Sequence, residues 1–232
     1  MKDEAGAVFT ITLPSALRPM GSWWPNGAVF PPPLAPATWL PNLRVGLHLV
    51  VIEGPAVLPP SDIPDLVDAE GQFPSDQFRL GMKYCFRPRI RRQLAAEIRA
   101  QFAAFAATGL TLHHADAHKH MHLHPVVGRL MLDIGREFGL SRVRVPAEPP
   151  SVLAACGTRV GLGGRALYHW SRVLRRQVRA AGMATTYHCF GIAWSGHMTP
   201  ERIRQLMAAL PEGESEVYFP CEWSSGRRRS PL

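Results

Sequence analysis

From residue 43 to 51 the chain reads Leu-Arg-Val-Gly-Leu-His-Leu-Val-Val, bounded by Pro41-Asn42 and Glu53-Gly54. A short apolar run of this kind predicts a buried strand. A single histidine, His48, interrupts it. Residues 54–76 lose all periodicity and gather prolines, which predicts a loop with a turn over 68–73. Over 91–109 the period changes to that of a helix. Leu94, Ile98, Phe102 and Phe105 share one face, and Gly109 stands where such a helix stops.

Residues 110–118 predict a second strand. Pro125 suits the first turn of a helix whose apolar face is Val127, Leu130, Met131, Ile134 and Phe138, with Gly139 as its stop. A third strand is expected over 141–146, a glycine-rich connection over 151–164, a basic helix over 165–181 and a strand over 185–193. Thr199-Pro200-Glu201 is an N-cap followed by an N1 proline, opening a helix over 200–210. A last strand is expected over 216–219. Strands alternating with helices predict an α/β fold with a parallel sheet, whose chemistry gathers at the C-terminal strand ends. Residues 1–41, with prolines every few positions, read as an irregular segment, 42–219 as the folded domain and 220–232 as a basic tail.

Composition narrows this further. The 232 residues suit one domain, and 46% hydrophobic with 19% charged residues is ordinary for a globular protein with a real core. No run of eighteen apolar residues predicts a transmembrane helix. Lys2 is followed at once by Asp3 and Glu4, and Pro14 cuts the apolar stretch, so the start is a poor secretory signal and a cytoplasmic location is expected. The four cysteines are far apart and form no CxxC pair, so they read as reduced, small, buried hydrophobes. The net charge of +8 invites a nucleic-acid reading. The sequence has no helix-turn-helix signature, zinc-finger spacing or aromatic RNA-binding motif, so no nucleic-acid partner is expected. The basic clusters at 87–92, 172–179 and 227–229 suit solvated faces or approach to an anionic membrane.

The chemistry concentrates in residues 115–125, Ala-Asp-Ala-His-Lys-His-Met-His-Leu-His-Pro. Histidine is the commonest nitrogen ligand for Zn²⁺ and related ions. Alternate residues of an extended segment face the same way, so two of the four histidines could point inward together. One of them with His48 makes two ligands on neighbouring strands. A catalytic site needs a third ligand, often a carboxylate, and an open position for water.

The stretches 44–73, 112–125, 142–150 and 190–203 together resemble the YdjC-like (ChbG/HpnK) carbohydrate deacetylases, and among them the hopanoid biosynthesis-associated branch. The resemblance covers 42–219. It implies a TIM-like distorted β/α barrel that removes acetyl groups from N-acetylated sugars with a divalent metal, Mg²⁺ or Zn²⁺. It places metal ligands at His48 and His118, substrate contacts at His120 and Arg144, and a catalytic role at His122; in place of the family's own carboxylates, Asp116, or else Glu53, is the stand-in, and Asp116 is taken as the catalytic one. It implies an N-acetylated sugar or glycolipid substrate, here an N-acetylglucosaminyl hopanoid, and admits a homodimer. The family's opening strand ends in Ala-Asp-Asp-Phe-Gly, which supplies a ligand and a base. The only acids before residue 42 are Asp3 and Glu4, so that strand is expected to be missing. The family's late His-Pro pair is also absent, and both ends are expected to be out of frame. The alternative reading is a non-catalytic metal- or lipid-binding remnant.

Overall fold

The computed structural model describes residues 10–14 as backbone, and residues 44–195 and 197–218 with their side chains. The chain divides into two compact units, Met1–Arg144 with Arg176–Thr185, and Val145–Arg175 with Thr186–Leu232.

The first unit is built on a parallel sheet of β1 (Thr10–Pro14), β2 (Arg44–Leu49) and β3 (His114–Ala117), in that order. Two parallel bridges extend it, Ala115 to Val143 and Arg142 to Ala184. Parallel neighbours taken in chain order are the arrangement of a singly wound β/α sheet, as in barrels. Among the described residues the sheet stays open, so the expected barrel is seen only as this α/β arc.

The first strand, expected to be missing, is present. Residues 10–14 lie parallel to β2, with Leu13 opposite Leu47 and Pro14 opposite His48. Thr-Ile-Thr-Leu has β-branched residues and period-2 alternation, the ordinary strand signal. The proline-rich stretch after it masked that signal. What the sequence lacks is the acidic motif, not the strand. The third expected strand, 141–146, shrinks to the two bridges. The basic tail, 220–232, lies outside the described residues.

Helix α1 (Gln77–Phe86) was not expected. Asp76 caps it by accepting from the Arg79 backbone N–H at 2.9 Å. Pro88 then opens α2 (Pro88–Ala106), and Arg87 before it is extended, as a residue preceding proline prefers. On α2 the expected apolar face is buried, but so are Glu97 and Gln101. Glu97 accepts the Val57 and Leu58 N–H groups at 2.8 and 2.9 Å. Gln101 accepts from Val50 N–H at 3.0 Å and donates to Val50 O and Glu97, each at 2.7 Å. Tyr84 donates to Val51 O at 2.8 Å. Buried backbone groups of the loop after β2 thus find partners on α1 and α2, which fixes the loop at the end of that strand. Gly109 follows α2 at φ 73° and Gly139 follows α3 (Pro125–Glu137) at φ 80°, the left-handed stops the sequence indicated.

In the second unit, α4 (Pro150–Ala155), β4 (His188–Phe190), α6 (Pro200–Ala209) and β5 (Ser215–Val217) enclose a core of Val152, Leu153, Cys156, Phe190, Trp194 and Leu206. The helix α5 (Leu162–Ala180) contributes its residues up to Arg175 to this unit. Strands β4 and β5 are parallel. Thr199 caps α6 by accepting from Arg202 N–H at 3.3 Å, as its sequence predicts.

Candidate active site at the strand ends

Parallel pairing of β2 with β3 sets His48 opposite Asp116 and Gly46 opposite His114. The two pairs are two residues apart, so they share one face of the sheet. His114 lies directly over Gly46. A β-carbon at position 46 would stand 2.2 Å from the imidazole, so only glycine leaves the ring its place. Burial, with Arg144 nearby, holds the His114 pKa down to about 4.

One step further along the strands, Asp116 is 5% exposed and engages both oxygens. His48 Nδ1 lies 2.6 Å from its Oδ1, and the Arg144 guanidinium pairs with its Oδ2. Burial works to raise the Asp116 pKa. The hydrogen bond from His48 and the charge of Arg144 outweigh it and hold the carboxyl below the usual range. Asp116 is therefore an acceptor at neutral pH, and His48 donates through Nδ1–H. A neutral His48 then carries its lone pair on Nε2.

That lone pair faces His118. The separation from His48 Nε2 to His118 Nδ1 is 3.5 Å, long for a hydrogen bond between two rings. Two imidazole nitrogens bound to one tetrahedral ion at ~2.1 Å stand about 3.4 Å apart. A carboxylate that holds the far nitrogen of a ligating histidine is also the usual outer support of a metal site. His48 and His118 thus fit a divalent cation as two of its ligands. Among the described residues, no three metal-ligating side chains converge.

The rest of the histidine run departs from the extended reading. Strand β3 ends at Ala117, and His118–Leu123 is a short 3-10 segment kinked at Lys119 and His120, with φ values of 48° and 55°. Glu53, which forms an ion pair with Lys119, also has a left-handed φ of 46°. Three non-glycine residues in this strained region cluster beside His118. Once the chain turns, the histidines no longer share a face. His122 Nε2 donates to Arg144 O at 2.9 Å, while its Nδ1 is buried without a hydrogen-bond partner. Burial pushes the His122 pKa down to about 3, with His120 adding to the effect. The His120 ring lies 6.3 Å from that of His122, and its pKa is also lowered by burial. His124 points away to α1, where Nε2 lies 3.1 Å from Gly81 O and 3.3 Å from Cys85 Sγ.

The sequence reading did not single out Glu148 in the second unit. Its carboxylate accepts N–H groups of Gly191, Ile192 and Ala193 at 2.6, 2.8 and 2.9 Å. Burial raises its pKa against those three hydrogen bonds. Nor did the reading find the pairing of Arg144 with Asp116. The available signal was an arginine inside the apolar stretch 141–146, where a buried cation requires a buried anion.

The model of the YdjC-like protein family matches residues 19–226. The chain belongs to the YdjC-like family. Curated proteins similar to this YdjC-like chain include a carbohydrate deacetylase of Brevibacillus brevis, 36% identical over 110 residues, which are 47% of this chain and 39% of that protein. Another, from Geobacillus stearothermophilus, is 33% identical over 110 residues, with the same shares of 47% and 39%. The chain spans about two fifths of the length of these relatives. Among solved structures it resembles one described as a cellobiose-phosphate cleavage protein of Enterococcus faecalis. That match has a TM-score of 0.52 and 18% identity, and covers 79% of this chain and 62% of the other. At that identity the likeness concerns the fold alone.

Proposed function

We propose that this YdjC-like chain hydrolyses the acetamide of an N-acetylated sugar. The observation that supports it most is the line Arg144–Asp116–His48, ending in a nitrogen lone pair that faces His118 at 3.5 Å. In this reading His48 and His118 would hold a divalent cation, Mg²⁺ or Zn²⁺, which would supply an acidified water and a Lewis acid for the acetyl oxygen. Asp116 fixes the tautomer and tilt of His48, and Arg144 keeps Asp116 ionised and in place. Asp116 thus acts as a positioning residue, because both of its oxygens are engaged.

Burial keeps His120 and His122 neutral near pH 7. A neutral His120 ring can exchange hydrogen bonds with sugar hydroxyls without attracting anions. His122 is anchored through Arg144 O and braces the kink that carries His120. Hydrolysis adds water to the acetyl carbon and breaks the C–N bond, releasing acetate and the free sugar amine. On the sequence resemblance, the substrate of first choice is an N-acetylglucosaminyl hopanoid.

A second reading has an observation of its own. Pro14 stands opposite His48, near the place where the family's acidic motif would end, and no third ligand appears among the described residues. A non-catalytic metal-binding remnant would look the same. Free-amine release from an N-acetylglucosaminyl lipid, with added Mg²⁺ or Zn²⁺, separates the two. Release that vanishes in His118→Ala supports the deacetylase. Metal binding by the folded chain without release establishes the remnant.

A further inference from the structure

Helix α1 carries an exposed apolar stripe. Phe78, Met82 and Phe86 are 80%, 46% and 71% exposed. Side chains four residues apart follow one line along a helix. Leu80 and Tyr84, on the other side, are buried and hold the helix to the first unit. Beside the apolar line runs a second one. Arg79, Lys83 and Arg87 each follow one of the three apolar residues in sequence. None of these cations pairs with a carboxylate among the described residues, and residues 77–86 include no acid. The start of α2 adds Arg91 and Arg92, both exposed.

We propose that this face of α1 docks on an anionic lipid bilayer. Aromatic and thioether side chains enter the headgroup–acyl boundary, while a flanking row of cations meets the lipid phosphates. At ten residues α1 is ~15 Å long, half of a ~30 Å hydrocarbon core, so it lies on the surface and does not cross it. Charge decides against a second copy of the chain as the occupant. A second copy offers only the same positive patch and no anionic groups to meet the cation row, whereas an anionic bilayer offers both apolar depth and phosphates.

The helix is tied to the histidine segment. Gln77 Nε2 donates to Lys119 O at 3.3 Å, and His124 reaches Gly81 O at 3.1 Å. A docked α1 therefore brings Lys119, at the start of the histidine segment, near the lipid surface. The consequence, that the acetylated sugar is presented by a lipid, rests on the deacetylase reading. The docking itself does not.

The test is co-sedimentation of the full 232-residue chain with vesicles of phosphatidylcholine, with and without phosphatidylglycerol. Binding is expected only with the anionic lipid, and it weakens as salt rises. The triple variant Phe78→Ser, Met82→Ser, Phe86→Ser should bind at least ~10-fold more weakly. Arg79→Gln with Lys83→Gln should lose about fivefold per cation. Circular dichroism checks that both variants remain folded. Equal binding to neutral vesicles, or unchanged binding by the triple variant, overturns the proposal. So does a dimer in light scattering that the triple variant abolishes while vesicle binding persists, because the occupant is then a second copy. Amine release from a soluble N-acetylated sugar is measured in parallel. Its loss with vesicle binding intact counts against the deacetylase reading alone, and the reverse counts against the docking alone.

Discussion

Asparagine at position 116 changes almost no volume and removes one charge. In the parent, both oxygens of Asp116 are engaged, one by His48 Nδ1–H at 2.6 Å and one by a guanidinium that is itself only 9% exposed. In the variant the amide can still accept from His48. It cannot neutralise Arg144, which remains a buried cation facing a neutral group. Breaking a buried pair by altering one partner costs about 3 kcal/mol or more. For a chain of this size that corresponds to a fall in Tm of roughly 10 °C. Removing the partner as well, in Asp116→Asn with Arg144→Met, should recover part of the loss, with a coupling of about 1–3 kcal/mol. The carboxylate also orients His48, so Zn²⁺ affinity should fall about 10- to 100-fold. Urea unfolding of the four chains and titration calorimetry with Zn²⁺ measure both effects. If the asparagine variant stays within about 1 kcal/mol of the parent and keeps its metal affinity while amine release disappears, the positioning role is refuted. Asp116 would then be the proton acceptor.

Gly46→Ala places a β-carbon 2.2 Å from the His114 ring, so a thermal melt should show a loss of about 2–3 kcal/mol, and an unshifted melt would mean the ring has room to move. His114 has a folded pKa of about 4 against ~6.5 unfolded, so its neutral form contributes stability that is full above pH 6.5 and is lost as the pH falls towards 4, about 3 kcal/mol in all. Urea midpoints at pH 7.5 and pH 5 should therefore draw together in His114→Gln, and an equal acid loss in the variant would count against this assignment. Glu97→Ala takes the acceptor away from the half-buried Val57 and Leu58 N–H groups, at a cost of about 2 kcal/mol, and amide exchange at those two residues should quicken more than elsewhere.

Where burial imposes a period and a glycine or proline punctuates it, the sequence was legible. The apolar run of β2, the stripe Leu94–Ile98–Phe102–Phe105 with its Gly109 stop, and the Thr199–Pro200 start of α6 all stand where the pattern puts them. Helix α1 was not legible for a physical reason. It buries Leu80 and Tyr84 on one side and exposes Phe78, Met82 and Phe86 on another, so its apolar residues trace no single stripe. Strand β1 is five residues long and is followed by a proline-rich stretch, and local composition outweighed its alternation. Glu97 and Gln101 look like breaks in an apolar face, yet they satisfy loop backbone that no pattern in the sequence reveals.

The site divides in the same way. Residue types pointed to His48, Asp116 and His118, but register makes the site, and register is a property of pairing between strands 68 positions apart. The periodic reading of the histidines failed because the strand ends at Ala117 and the chain then passes through two left-handed residues, Lys119 and His120. With Glu53, three side-chain-bearing residues occupy a region that costs of order 1–3 kcal/mol each. Such conformations persist only where surrounding contacts over-determine them. Here those contacts are the Lys119–Glu53 pair, the Gln77 bond to Lys119 O and the His122 bond to Arg144 O. A turn needed only to connect a strand to a helix would be lower in energy with glycine at 119 and 120. That Lys119 and His120 stand there instead, next to a pair of imidazoles suited to one cation, makes the kink the place where a working site and a remnant would answer differently to substitution. It makes His120→Gly the sharpest variant. If the kink is mere connection, the substitution stabilises the chain and leaves amine release untouched. If the ring serves the sugar, it stabilises the chain and lowers the release.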